Sequence, residues 1–135
     1  MNPKVYNPKD CVTTINDSYI ISGYSSSMIS GSKDNPLSSV AEGAQGAAII
    51  NVSCSRLGTM TITLQATSPS NAYLMKLAKE RAIFSIWCAN KTLGERMGGT
   101  QAILENYATI DNNDVAGDRV YTIKVVDFEI ENTNE

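Results

Sequence analysis

The stretch GTMTITLQATSPSNAYLMKLAKE, residues 58–80, runs a strand pattern almost directly into a helix pattern. Thr59, Thr61, Thr63 and Gln65 alternate with Met60, Ile62, Leu64 and Ala66, the period of two expected of a half-buried strand. One face is apolar and the other is hydroxyl. Ser68 stands at an N-cap position and Pro69 at the first helical position, where its missing N–H costs nothing, and good helix formers follow. The spacing predicts a strand over 59–66 and a helix over 69–80. Neither carries a group suited to chemistry, so the element is built to fold and to present a surface.

The length fits one domain with a real core, since a chain of about 150 residues buries roughly 68–70% of its unfolded surface. No apolar run of about 18 residues is available to span a bilayer. The opening MNPKVYNPKD has no apolar segment of the secretory kind, so the expectation is a soluble chain without a membrane anchor, made in a cytoplasm. Cys11, Cys54 and Cys88 are odd in number and widely spaced with no C-x-x-C, which predicts small apolar residues rather than a disulfide framework or zinc site. The formal charge of -3 hides an asymmetry: residues 1–100 carry net +3 and residues 101–135 carry net -6. The acidic part reads either as a solvated tail or as one half of a complementary contact between copies of the chain. No clustered basic stripe of a duplex-binding protein is present.

Outward from the central stretch, CVTTI (residues 11–15), a turn at Asn16 and Asp17, and SYIISGY predict a short hairpin. Residues 25–48 are rich in Ser, Gly, Asn and Pro without sustained apolar period, and predict a long loop, either a binding segment or a disordered stretch. AAIINVSCS, a turn at 56–58 and TMTITLQA predict a second hairpin. RAIFSIWCA predicts a central strand buried on both faces, NKTLGERMGGT a turn, and QAILENYATI a strand whose composition also tolerates a helical turn. In RVYTIKVVDFEIEN the apolar set moves from Tyr121, Ile123 and Val125 to Val126, Phe128 and Ile130. This predicts a bulge near Val125 or a passage into another packing environment, with the second half open to cover by a neighbouring molecule. About seven short strands and one helix indicate a mainly β fold, a β-sandwich or small β-barrel with one flanking helix.

The absence of histidine removes the commonest general base, the commonest metal ligand and every Ser-His triad. DNNDVAGD, with Asp111, Asp114 and Asp118, lacks the spacing and closing Glu of an EF-hand and reads as a solvated hairpin loop. GAQG and GGT are not phosphate-cradling loops. Lys76, Lys79 and Arg81 form a basic helix edge, with Lys76 and Glu80 paired at i,i+4. Cys88 has no neighbouring base in the sequence to activate it. These readings predict a non-enzyme with no metal and no cofactor.

Four segments taken in order, YNPKDCVTTINDSYIISGY, SKDNPLSSVAEGAQG, LGTMTITLQATSPSNAYLMKLAK and GDRVYTIKVVDFEI, resemble the tail tube proteins of contractile-tailed bacteriophages over residues 6–130. The most specific part is TITLQATSPSNAYL. The resemblance implies a subunit of a tube built from stacked hexameric rings around a channel for DNA during genome ejection, located in the virion tail after assembly in the host cytoplasm. Implied partners are further copies of the chain, tail sheath, tape measure and baseplate or terminator proteins, and DNA held transiently without sequence-specific binding. It also implies an N-terminal arm (about 1–10), a C-terminal arm (about 127–135) with Val126, Phe128 and Ile130 as packing residues, and an inter-ring loop. That loop, residues 32–46, would present Ser32, Lys33, Asp34, Asn35, Pro36, Leu37, Glu42 and Gln45 to the next ring. Thr59, Thr61, Thr63 and Gln65 are then candidates to line the lumen, the alternative being a solvent-exposed outer sheet face. Residues 104–118 depart from the pattern, so no contacts are carried over there. Bacteriocin and secretion tubes share the architecture. A different reading, a monomeric β-sandwich binding module on a phage or cell surface, predicts clustered exposed aromatics, whereas Trp87 lies in an apolar strand and the tyrosines are scattered.

Overall fold

The computed structural model describes residues 5–132; residues 1–4 and 133–135, the outer parts of the two expected arms, lie outside the described residues. After one 3-10 turn (Pro8–Asp10), β1 (Cys11–Ile15) and β2 (Tyr19–Ile20) form the expected hairpin. Asn16 and Asp17 both take left-handed backbone (φ 54 and 57), as the primed hairpin turn requires, and Ser18 N–H closes it on Ile15 O.

The expected loop over 25–48 is where the structure departs most from the sequence pattern. Its first part is β3 (Tyr24–Lys33), antiparallel to β6 (Gly58–Leu64). The rest is a hairpin of β4 (Ser38–Glu42) and β5 (Ala48–Val52), which pair only with each other. The expected pairing of residues 47–55 with the central strand is therefore replaced. The physical reason lies in β3. Ser30 and Ser32 sit opposite Thr61 and Thr59 on the polar face, while the intervening inward position is Gly31, where a Cβ would lie 2.6 Å from Met97 Sδ. Core side chains from other strands fill the space, so β3 shows no apolar period.

In β6, Met60, Ile62 and Leu64 are fully buried, as the alternation predicts. The helix follows as α1 (Ser70–Glu80), with Pro69 already in helical backbone and Ser68 Oγ accepting from Ser70 N–H at 3.2 Å. Leu74 and Leu77 enter the core. Arg81, left-handed at φ 52, closes the helix with its N–H on Ala78 O. Then come β7 (Phe84–Asn90), β8 (Glu95–Leu104), β9 (Arg119–Val125) and β10 (Glu129–Asn132). β7 is central, but only Phe84, Ile86 and Cys88 are buried; Ile83 is 73% exposed, and the Arg96 guanidinium lies 3.8 Å over the half-buried Trp87 ring. The expected burial on both faces is thus corrected to one face. The turn after β7 is shorter than expected, since ERMGGT already belongs to β8, and the strand expected over 101–110 ends at Leu104.

The large sheet runs β2-β1-β7-β8-β9-β6-β3, all antiparallel, with β10 beside β8. Its two end strands, β2 and β3, are joined by only residues 21–23, which reach at most about 10 Å. The sheet must curl until its edges nearly meet. It does not close, because no ladder joins β2 or β1 to β3; Tyr24 OH instead donates to Thr13 Oγ1 across the gap at 2.5 Å. The start of α1 clasps this seam: Ser70 Oγ accepts from Ser22 N–H (3.1 Å) and Tyr19 OH (3.2 Å), and Ser68 Oγ donates to Ser22 O (2.6 Å). The fold is therefore mainly β with one flanking helix, an open curled sheet rather than a closed barrel.

The phase change in the last strand has a specific origin. β9 and β10 keep one register against β8, Val125 opposite Ala102 and Glu129 opposite Gly98. Between those pairs the inward set moves from Val125 to Phe128, and on β8 from Ala102 to Gly99 and Met97. Both strands change phase together. Asp127 secures the irregular stretch, its carboxylate accepting from Thr100 N–H, Thr100 Oγ1–H and Gln101 N–H. Burial pushes the Asp127 carboxyl up, but these hydrogen bonds outweigh it and hold the group below its ordinary range. Asp127→Ala should cost about 1 kcal/mol at neutral pH, read as a lower urea midpoint, because two strand N–H groups exchange a carboxylate acceptor for water. An unchanged midpoint would contradict that role.

Candidate assembly surfaces

The β4–β5 hairpin stands apart from the large sheet. Across its ladder Val40 faces Ile50 and Ser38 faces Val52, so Val40, Ile50 and Val52 share one side. They are 70%, 70% and 79% exposed, and Leu37 at the base is 67% exposed. A two-stranded hairpin is at best marginally stable alone, and cross-strand pairs such as Val40 with Ile50 add only about 0.2–1 kcal/mol each. Covering one such side chain gains about 1.5–3 kcal/mol. The hairpin thus presents an exposed apolar face.

Its base is latched by polar contacts. Asp34 accepts from Thr59 Oγ1 at 2.6 Å and pairs with Lys124 Nζ at 2.5 Å; Asn35 Nδ2 donates to Ser55 Oγ at 2.9 Å, and Ser53 N–H to Leu37 O at 2.9 Å. At the tip, Gly43 N–H bonds Ala47 O and Gly46 N–H bonds Gly43 O. Lys124 and then Thr59 hold the Asp34 carboxyl below its usual 3.8, and Asp34 holds the Lys124 ammonium above its usual 10.5. A lowered carboxyl contributes above its unfolded pKa and is lost as pH falls through the lowered value. A raised ammonium contributes below its unfolded pKa and is lost as pH rises through the raised value. The latch should therefore contribute in full between pH 3.8 and 10.5 and open only as pH falls through the lowered Asp34 value or rises through the raised Lys124 value. NMR titration of the Asp34 and Lys124 side chains checks this: Asp34→Asn should abolish the acid step, and a carboxyl titrating at its ordinary value would contradict the latch.

The second surface is the seam and the edge beside it. Among the described residues, β3 pairs with β6 on one side and with no strand on the other. A free edge offers N–H and C=O groups to an incoming strand, and the charge that usually blunts such an edge is confined to Lys33 at its end. β3 is irregular between Tyr24 and Ile29, with Met28 at φ +45. There a groove of about 510 Å³ opens along the seam, lined by Pro8, Val12, Ile20, Ile21, Tyr24 and Met28 among others. It is mostly apolar, and Ile20 is 61% exposed.

The residues singled out in the sequence distribute unevenly. Thr59 and Thr61 are half-buried on the sheet face opposite the core, in rows with Ser32 and Lys124 and with Ser30 and Thr122. Thr63 is buried opposite Val120, and Gln65 is exposed beyond the strand end. The structure thus gathers a hydroxyl surface of Ser30, Ser32, Thr59, Thr61 and Thr122, with the Thr59 hydroxyl engaged by Asp34. Among the expected loop residues, Ser32 and Lys33 lie in β3, Asp34, Asn35, Pro36 and Leu37 form the hairpin base, and Glu42 and Gln45 lie at the end of β4 and in the tip. Phe128 is buried in this chain's own core, which leaves Val126 and Ile130, 51% and 53% exposed, to face outward. In the acidic loop, Arg119 donates to Gly117 O at 2.7 Å and to Asn112 Oδ1 at 3.1 Å, so the loop is braced from within by its own cation. Sequence reading missed Val40, Ile50 and Val52, whose alternation inside SSVAEGAQGAAIINV was the available signal.

No protein-family model and no curated protein sequence matches the chain. Solved structures do match its fold. The cap that terminates the tube of the anti-feeding prophage superposes with TM-score 0.69 at 9% identity, over 98% of this chain and 95% of that one. The sheath/tube terminator of the extracellular contractile injection system PVC, in its extended state, gives 0.66 at 11% identity over 90% and 92%. A chain of the PVC sheath-tube complex, also extended, gives 0.68 at 11% identity over 96% and 93%. The chain therefore shares its overall fold with these chains of contractile injection systems. These solved neighbours are structural parts of such assemblies.

Proposed function

We propose that this chain is a structural subunit of a phage-type tail tube, six copies closing into a ring and rings stacking around a channel through which DNA passes. The observation that carries the reading is the β4–β5 hairpin, which pairs only with itself and holds Val40, Ile50 and Val52 in water. A head-to-tail contact needs two different, complementary surfaces on each copy, and the free β3 edge with the apolar seam groove supplies a second one. In this arrangement the hairpin reaches the adjacent ring, with Asp34 to Leu37 setting its angle and Glu42 and Gln45 at its tip. The hydroxyl face of Thr59 and Thr61 with Ser30, Ser32 and Thr122, and Gln65 beyond the strand end, lines the lumen, and buried Thr63 takes no part. Neutral hydroxyls contact water without holding phosphate, and Lys124, which shares that face, is paired with Asp34. Sheath, tape measure and baseplate proteins are the partners beyond the chain itself, and the tail of the virion is its location.

A second reading, a terminator that ends the tube, is favoured by the likeness to a tube-terminating cap. Sedimentation velocity with negative-stain microscopy separates the two. A tube subunit yields rings and stacked tubes of varied length, and a terminator stops at single rings. A monomer at every protein and salt concentration would overturn both.

A further inference from the structure

Cys11 and Cys88 lie on neighbouring strands β1 and β7, 77 positions apart in sequence, with Sγ atoms 3.4 Å apart. Both line a groove of about 380 Å³ beside Tyr6, Met97 and Ile130. Cys11 is half-buried and Cys88 is 4% exposed. The two thiols must close by about 1.4 Å to reach the S–S distance of about 2.05 Å, and because Cys11 pairs with Asn90 and Cys88 with Thr13 they are diagonal neighbours, so the β1–β7 backbone adjusts with the side chains. The third cysteine, Cys54, is exposed in the link between the hairpin and β6, outside that groove.

We infer that Cys11 and Cys88 form an oxidisable dithiol, with Cys11 attacked first and Cys88 resolving it. A hydroperoxide is the oxidant. The Cys11 thiolate displaces on the O–O bond, giving a sulfenic acid and releasing the corresponding alcohol, or water from hydrogen peroxide. The Cys88 sulfur then attacks the Cys11 sulfur, and the sulfenic oxygen leaves as water with the Cys88 proton. The pair loses two electrons and two hydrogens, and the peroxide gains them. Exposure sets the order, since Cys11 is half-buried and Cys88, although it lines the same groove, is 4% exposed. Cys11 is the first residue of β1, directly after the 3-10 turn. The bond would therefore fasten the root of the N-terminal segment to a central strand of the sheet.

The test uses Cys54→Ser protein treated with equimolar hydrogen peroxide, thiols then being counted after denaturation. Expected is a fall from two thiols to none, a mass loss of two hydrogens and no covalent dimer. With Cys88→Ser added, Cys11 should be trapped by dimedone as the sulfenic acid. With Cys11→Ser added instead, the lone Cys88 thiol should survive. Two surviving thiols in the Cys54→Ser protein, or dimedone adduct on Cys11 with Cys88 present, would overturn the inference, as would loss of thiols only through intermolecular bonds. The first measurement needs no change at either member of the pair, so a folding failure of the variants cannot decide it.

Discussion

Replacing Val40 and Ile50 together by aspartate is expected to abolish self-assembly while leaving the monomer folded. The two side chains face each other across the hairpin and touch none of the core, so the facing carboxylates weaken the hairpin locally while the large sheet, which sets the thermal midpoint, keeps its contacts. In the assembly each loses the gain of about 1.5–3 kcal/mol that comes from covering it, and a carboxylate is left to be desolvated. Losing about 4 kcal/mol per contact raises the concentration needed for assembly about a thousandfold. The readout is paired: an unchanged thermal midpoint and loss of the fast-sedimenting species. Assembly at the wild-type concentration would show that the hairpin face is not the contact.

Gly98→Ala is expected to act in the opposite way, on the fold rather than the surface. Gly98 has φ +147, a backbone conformation that L side chains rarely adopt. A Cβ there would lie 2.0 Å from Ile86 O and 2.9 Å from Trp87 Cα, all backbone of the paired strand β7, so no side-chain rotation relieves it. The β7–β8 ladder would have to separate at the centre of the sheet. The cost should be about 4 kcal/mol or more, enough to lower the thermal midpoint by more than about 10 °C or prevent folding. Gly43→Ala at the hairpin is the control, since its Cβ would meet only Ala47 O at 3.7 Å, and it should be nearly neutral. Equal midpoints for the two variants would contradict the close approach of β7 and β8.

The same geometry explains which parts of the fold could be read in advance. The β6–α1 unit was legible because each half has one apolar side and one polar side, and the cap chemistry of Ser68 and Pro69 marks the junction. The β1–β2 hairpin was legible because Asn16 and Asp17 belong to its turn type. β3 was not, because its inward Gly31 leaves room for Met97 and Phe128, and a strand that lends space instead of filling it shows no apolar period. The partner of β5 was not, because alternation indicates a strand without naming its neighbour. The shift in apolar phase at Val125 was visible, but its cause, Asp127 tying two strands through one irregularity, involves residues 26 and 27 positions apart. The candidate surfaces divide similarly. The threonine row could be read directly, while the exposed Val40, Ile50 and Val52 required knowing that the hairpin leaves the body of the chain.

Amide hydrogen exchange, compared between sedimented assembly and dissociated chain, tests most directly whether identical neighbours complete this fold. The account predicts slowed exchange at residues 38–52 of the hairpin and at the free edge of β3 in the assembly, with unchanged exchange in β7 and β8. Equal exchange at the hairpin and the β3 edge in both samples, or no sedimentable assembly to compare, would contradict it.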